Sequence, residues 1–243
     1  MMNFEDFCGV FHTIMALNGF SEWADEPHAK QFYRLTERML DVNGKMNLTA
    51  ITEESAVILL HYADSLTAAR FLPQNARVAD VGCGAGFPCL PLAICRPDLR
   101  ILALDSTEKR IRYVSETAGL LGCENLTAMA ARAEEVGRSE HRERFDVCTA
   151  RAVAALPLLA ELCLPFVRVG GTFLAMKGKK GAEEAAQAAS AIKRLGGECV
   201  ALHPVTLHGT GEEDTRYLVE IRKVKPTPAE FPRTWARILK KPL

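Results

Sequence analysis

Between Asn3 and about Leu72, apolar side chains recur every three or four positions, the period of helices that bury one face. Phe4, Phe7, Val10 or Phe11, Ile14 and Leu17 form one such stripe, and Asn18-Gly19 is its stop signal. A second helix is predicted from Asp25, with Pro27 in its first turn, to about Val42, with Phe32, Leu35, Met39 and Leu40 on its apolar face. A third helical region begins near Glu53 and runs through Val57, Leu60, Leu66 and Phe71. Pro73 ends it, because proline has no N–H to give and keeps its predecessor out of the helical region.

From Arg77 onward the pattern changes. Short runs of Val, Ile, Leu and Phe alternate with helical stretches. Strands are predicted at Arg77–Val81, Arg100–Leu104, Leu126–Ala130, Phe145–Thr149, Thr172–Met176, Glu198–Thr206 and Arg216–Val224. Helices are predicted at Pro88–Arg96, Thr107–Leu121, Ala133–Val136, Leu156–Val167 and Ala182–Leu195. Strand–helix units in series imply an α/β fold with a parallel sheet covered on both faces. The last two strands have no helix between them, only His208-Gly209-Thr210-Gly211 and acidic residues, so an antiparallel hairpin is expected at the sheet edge. The organisation predicted is a helical extension over residues 1–72 packed on the core, a main domain over 73–225, and a basic tail over 226–243.

Composition adds limits. A chain of 243 residues with 48% hydrophobic content can build a sizeable core, and 30 basic against 30 acidic side chains leave no overall field for coating nucleic acid. Any contact with nucleic acid must come from local patches. The opening Met1-Met2-Asn3-Phe4-Glu5-Asp6 carries acid where a secretory leader carries Lys or Arg, so a cytoplasmic location is expected. The longest apolar stretch, Ala152 to Val167, contains Pro157, Glu161 and Pro165 and falls short of a membrane span, so no membrane partner is expected. The eight cysteines form no C-x-x-C pair and the histidines no paired-ligand spacing, so neither a metal nor a disulfide is expected and most cysteines read as small buried hydrophobes.

The richest segment is Val78-Ala79-Asp80-Val81-Gly82-Cys83-Gly84-Ala85-Gly86-Phe87-Pro88: a buried strand, a loop with Gly82, Gly84 and Gly86 at alternate positions, then a helix. In a doubly wound sheet this turn is where a ligand binds. Dinucleotide binders use G-x-G-x-x-G, but here the place of the third glycine is held by Phe87. The preceding Asp80 suits S-adenosylmethionine (SAM), whose methionine end carries an ammonium and a carboxylate. Alone, such a loop is weak, since a tight turn accounts for it. The second strand, however, ends in Asp105, placed to accept hydrogen bonds from ribose hydroxyls of SAM or NAD alike. After the fourth strand, Thr149-Ala150-Arg151-Ala152-Val153 lacks the Asn/Asp-Pro-Pro-aromatic run associated with methylation of exocyclic nitrogens, and no Pro-Cys nucleophile lies outside the loop. A ring nitrogen with a free lone pair needs no general base, which fits that absence. Arg151 reads equally as a structural or a ligand-contacting residue.

These blocks, in order, resemble the bacterial 16S rRNA guanine-N7 methyltransferases, a family also called glucose-inhibited division protein B. The resemblance rests on Asp80 to Pro88. Upstream it includes Asn43-Gly44-Lys45-Met46-Asn47-Leu48-Thr49 and His61-Tyr62-Ala63-Asp64-Ser65-Leu66. Downstream it includes Asp105-Ser106-Thr107-Glu108-Lys109-Arg110, Arg132-Ala133-Glu134-Glu135, Thr149 to Ala154, Gly170 to Gly178, and the ending Lys240-Lys241-Pro242-Leu243. It implies a Rossmann-like SAM-dependent methyltransferase fold with a mostly parallel seven-stranded sheet. It also implies cofactor contacts at Gly82, Phe87, Ala133, Glu134 and Arg151, which join Asp80, Gly84, Gly86 and Asp105. The implied partner is 16S ribosomal RNA or a small-subunit assembly intermediate, with a guanine as acceptor. Candidate RNA contacts are Lys45, Asn47, Lys177, Lys179, Lys180, Arg233, Arg237, Lys240 and Lys241. From Arg222 to the end the chain carries a net charge of +6, though most such runs are merely solvated surface. Trp235 and His61 each read as packing residues or RNA contacts. The alternatives are a SAM-dependent methyltransferase of another RNA, a protein or a small molecule, an NAD-dependent oxidoreductase, and a non-catalytic RNA binder.

Overall fold

The computed structural model describes residues 1–209 and 214–243. Its centre is a seven-stranded sheet in the order β3-β2-β1-β4-β5-β7-β6. The strands are β1 (Arg77–Val81), β2 (Arg100–Asp105), β3 (Leu126–Ala130), β4 (Phe145–Arg151), β5 (Val167–Lys177), β6 (Gly197–Leu207) and β7 (Asp214–Lys223). The first five run parallel, whereas β7 pairs antiparallel with both β5 and β6. The expected hairpin is therefore present, with its second strand slotted between β5 and the edge strand β6. Residues 210–213, which include part of the predicted connection, lie outside the described residues.

Strict alternation along the central strands explains how the sheet is covered on both faces. Val78, Ile101 and Ala103 belong to one apolar cluster, and their neighbours Ala79, Leu102 and Leu104 belong to the other. A period of two in a wholly apolar run sends successive side chains into opposite layers. The first layer holds α1 (Phe4–Leu17), α2 (Glu26–Met46), α4 (Cys89–Cys95) and α5 (Glu108–Leu120). It also holds α3, a continuous helical segment built from Glu54–Val57, a π-helical turn at Ile58–Ala63 and Asp64–Leu66. The N-terminal helices thus share one core with the sheet: Phe7, Phe11, Phe32, Leu35 and Tyr62 are fully buried there. The opposite layer holds α7 (Leu156–Cys163) and α8 (Gly181–Arg194), beside the short α6 (Ala133–Val136) and α9 (Trp235–Lys240). Six of the eight cysteines are buried, as small apolar residues are. No described helix is long and apolar enough to cross a membrane.

Several boundaries differ from the sequence pattern for local reasons. The helix α2 continues to Met46 rather than stopping near Val42, and Asn47 ends it in the left-handed conformation (φ 49°). The strand β5 begins at Val167, before Gly170-Gly171, because a Cβ on Gly171 would come within 2.6 Å of the Asp146 carbonyl oxygen. Here glycine marks close strand approach, not a stop.

The C-terminal segment packs on the core. Phe231 and Ile238 are buried, and two arginines gather the carbonyls of the non-helical chain between them and β7. Arg142 donates to the carbonyls of Thr227, Pro228 and Phe231, while Arg138 donates to those of Glu230 and Pro232. Lys223, counted in the sequence as part of a basic patch, is fully buried. Its ammonium is held by the Leu164 and Val167 carbonyls, the Thr227 hydroxyl and Glu143.

Candidate active site

The loop after β1 is pinned to the end of β2. The Gly82 and Cys83 N–H groups both donate to the Leu104 carbonyl, at 2.7 and 3.0 Å. The Gly84 N–H donates to Asp105 Oδ2 (3.1 Å), and the Thr107 N–H donates to Asp105 Oδ1 (2.8 Å). Each carboxylate oxygen therefore keeps a lone pair for a further donor, which is what a ribose diol requires. Gly84 has φ +56°, and a Cβ built there would meet nothing closer than 3.9 Å, so a side chain would project into open space. That space is a cavity of about 470 Å³, within the usual size range of small-ligand sites.

Gly82, Gly84, Phe87, Asp105, Ala133, Glu134 and Arg151 all line this one cavity. Two residues expected beside the ligand lie behind it instead. Asp80 is 1% exposed and accepts the Thr149 hydroxyl at 3.0 Å, tying β1 to β4 beneath the loop. Burial raises its carboxyl to about 6, partly offset by that hydroxyl. Gly86 faces the core: a Cβ there would come within 2.3 Å of Leu90 Cδ1, so its glycine serves helix packing rather than ligand approach.

Arg151 leaves the end of β4 and is clamped by the N-terminal helices. It donates to the Leu60 carbonyl (3.0 Å), pairs with Asp64 Oδ2 at 2.6 Å, and points Nη2 at His61 Nδ1 (3.3 Å). Its guanidinium stands over the Phe87 ring at 5.3 Å, and the His61 ring stacks on the same Phe87 at 4.4 Å and 12°. Asp64 also lies 3.2 Å from Arg216 Nε, so one buried carboxylate serves two cations. Burial, reinforced by the Arg151 charge, lowers His61 to about 3, and the ring is neutral at any physiological pH. Even readings of Arg151 and His61 in the sequence thus resolve into one cluster beside the cofactor loop.

The sequence names Leu48 and Arg110 only within motif blocks, gives no signal for Leu162 and leaves Trp235 undecided; all four line the cavity. Thr49, noted only within a block, lines it too. Of the cationic candidates, Lys179, Lys180, Arg237, Lys240 and Lys241 are exposed. Lys45 and Asn47 are exposed at the end of α2, just before Leu48 and Thr49. Two others are committed elsewhere. Lys177 is 9% exposed, donates to the Ala154 carbonyl and pairs with Glu184 at 2.7 Å. Arg233 forms a bidentate pair with the buried Glu161, at 2.8 and 2.6 Å. Neither is available to phosphate: Arg233 is the required partner of a buried carboxylate, and Lys177 is itself buried.

The residues present fit SAM. A side-chain-poor loop at the sheet's carboxyl edge and an acid with spare acceptor capacity meet in one cleft of suitable size. Solved structures with the same fold include the TYW2 protein of M. jannaschii in complex with AdoMet (TM-score 0.54, 14% identity, covering 66% of this chain and 75% of that one). Another is a SAM-dependent methyltransferase from Aquifex aeolicus (TM-score 0.52, 17% identity, 69% and 92% covered). The chain is a SAM-dependent methyltransferase of the Rossmann-like class.

The particular family follows from sequence. The model of rRNA small subunit methyltransferase G matches residues 28–209. Ribosomal RNA small subunit methyltransferase G of Deinococcus radiodurans is 47% identical over 210 residues, 85% of this chain and 82% of that one. The protein of that name from Pelotomaculum thermopropionicum is 45% identical over 221 residues, 90% and 92% of the two chains. The chain belongs to the ribosomal RNA small subunit methyltransferase G family.

Proposed function

We propose that the protein transfers a methyl group from SAM to N7 of a guanine in 16S ribosomal RNA, within the cytoplasm. The observation that carries the reading is the make-up of the cavity. One side is the cofactor loop with Asp105, and the other is closed by a neutral His61 and the clamped Arg151. Among the described residues lining the cavity, the groups able to act as a general base are His61, Asp105 and Glu134, and the two carboxylates are assigned here to the cofactor. His61 is occupied on both ring nitrogens, and both oxygens of Asp105 hold backbone N–H groups. Guanine N7 carries a lone pair and no proton, so alkylating it demands alignment rather than proton removal.

When bound, SAM supplies an electrophilic methyl on a sulfonium. The chain's contribution is to hold the acceptor in line with it, a positioning effect that is able to lower a barrier by roughly 7–11 kcal/mol. Asp105 and the Gly84 backbone fix the adenosine end. Phe87, braced by His61 on its face, walls the region next to Arg151. Arg110 and Arg132 line the cavity, and α9 carries exposed Arg237 and Lys240 just beyond Trp235. These cations, with Lys45, Lys179, Lys180 and Lys241, are proposed to steer and position phosphates. The test is incubation with labelled SAM and unmodified small-subunit RNA, free and within subunits, followed by mapping of the modified base. A single N7-methylguanine is expected. Methylation at another atom, or at no RNA position, overturns the proposal.

A further inference from the structure

Thr49 sits in the linker between α2 and α3, on the wall of the cavity contributed by the N-terminal helices. Three hydrogen bonds around it determine one another. A guanidinium has donors and no acceptor, so we read the Arg151 Nη2 contact at 3.3 Å as donation to a lone pair on His61 Nδ1. The neutral ring then carries its proton on Nε2. Nε2 lies 2.9 Å from Thr49 Oγ1, and so donates to it. The Ile51 N–H donates to the same oxygen at 3.0 Å. A hydroxyl oxygen accepts two hydrogen bonds, and both places are now taken. The Thr49 proton is left to donate elsewhere, and among the described residues no acceptor receives it.

We infer that Thr49 is a substrate-facing donor, locked in that role by the Arg151–His61–Thr49 relay, and that it reads the carbonyl O6 of the target guanine. This rests on the proposed guanine-N7 reaction. On the major-groove edge of guanine N7 and O6 are neighbouring acceptors, and with N7 directed at the methyl, O6 is the one left for a protein donor. Adenine presents an amino donor at that place. A hydroxyl whose oxygen is already saturated cannot accept from it, so the relay favours guanine over adenine. The cofactor is not the chosen acceptor, because its loop and Asp105 belong to the sheet edge whereas Thr49 belongs to the helical wall. The low proton affinity of His61 keeps the relay in its neutral form.

The experiment compares wild type with Thr49→Val and Thr49→Ser in methyl transfer to small-subunit RNA, alongside SAM affinity by calorimetry. Valine keeps the shape and removes the donor; serine keeps the donor. Thr49→Val is expected to lower kcat/KM for RNA about tenfold, the worth of one hydrogen bond, with SAM affinity unchanged and Thr49→Ser within threefold of wild type. Equal kcat/KM in Thr49→Val, a loss confined to SAM affinity, or failure of serine to rescue would each overturn the inference. Nitrogen-15 NMR of His61 tests the relay without any substrate: a proton on Nε2 is expected, and a proton on Nδ1 refutes it. If wild type itself methylates no guanine N7, the functional proposal falls, and the NMR result still decides whether the hydroxyl is committed as donor.

Discussion

The two walls of the cavity are built on different principles. The sheet-edge wall is mostly backbone: Gly82, Cys83 and Gly84 hang their N–H groups on Leu104 and Asp105, and side chains stay out of the way. The helical wall is mostly side chain: His61 and Asp64 from the N-terminal region converge on Arg151 at the end of β4, and Thr49 backs His61. The first kind of wall suits a ligand that never changes, since main-chain groups are fixed by the fold itself. The second suits the variable part of the reaction, because a few substitutions in helices can re-aim it without touching the sheet.

Breaking the backbone wall should have the largest effect. In Gly84→Val a β-branched side chain would take a left-handed backbone, a strain of about 1–2 kcal/mol before any occlusion, and would project into the cavity. SAM binding is expected to fall below detection by calorimetry while circular dichroism shows a folded chain; normal binding would place the cofactor elsewhere.

Breaking the side-chain wall should act first on stability. Removing Asp64 leaves the largely buried Arg151 without its anion, a loss of about 3 kcal/mol in urea unfolding. A cost under about 1 kcal/mol would mean that the clamp is dispensable. Asp105→Ala sharpens the comparison from the other side, weakening SAM binding by about 1–3 kcal/mol as ribose hydrogen bonds disappear. Unchanged affinity in that variant would remove Asp105 from the cofactor site.

A smaller change is expected outside the cavity. Replacing Arg237, Lys240 and Lys241 together by Gln should reduce the salt dependence of RNA binding, by about one unit of log–log slope for each phosphate no longer neutralised, with SAM affinity constant. An unaltered slope would show that these cations are only solvated surface. Deleting residues 226–243 would not ask the same question, since Phe231 and Ile238 are core residues.

The subtlest comparison is pH dependence, where the walls have opposite signs. Asp80 has a folded value raised to about 6, so its contribution is full below the unfolded value of 3.8 and fades as pH rises through 6. His61 has a folded value lowered to about 3, so its contribution is present above 6.5 and fades as pH falls toward 3. Relative to wild type, Asp80→Asn should gain stability between pH 4 and 7, and His61→Gln should lose less on acidification over the same range. Parallel pH profiles for all three proteins would contradict both assignments.

Much of this architecture was legible in the chain because it is set locally. The period-two runs Val78–Val81 and Ile101–Leu104 place alternate side chains on two faces, and the glycines between them require a turn. Gly82, Gly84 and Asp105 line one cavity for the same reason: parallel strands end at one edge of a sheet. What failed was the direction in which individual groups face. Asp80 and Gly86 sit in the same motif as Gly84, yet two to four residues along the backbone they face the core. Lys177, Lys223 and Arg233 look in sequence like free cations, and each is bound to an acid brought to it by the fold.

By itself, then, the sequence determined the alternation of layers, the bend that leaves room for a cofactor, and the acid at the neighbouring strand end, because periodicity and glycine act over a few residues. Only the tertiary structure decided which charges are neutralised, and that His61 and Asp64 meet Arg151 across some ninety residues of chain. The reason is the range of the forces: backbone sterics are settled between neighbours, whereas burial and charge pairing depend on whatever folding brings alongside.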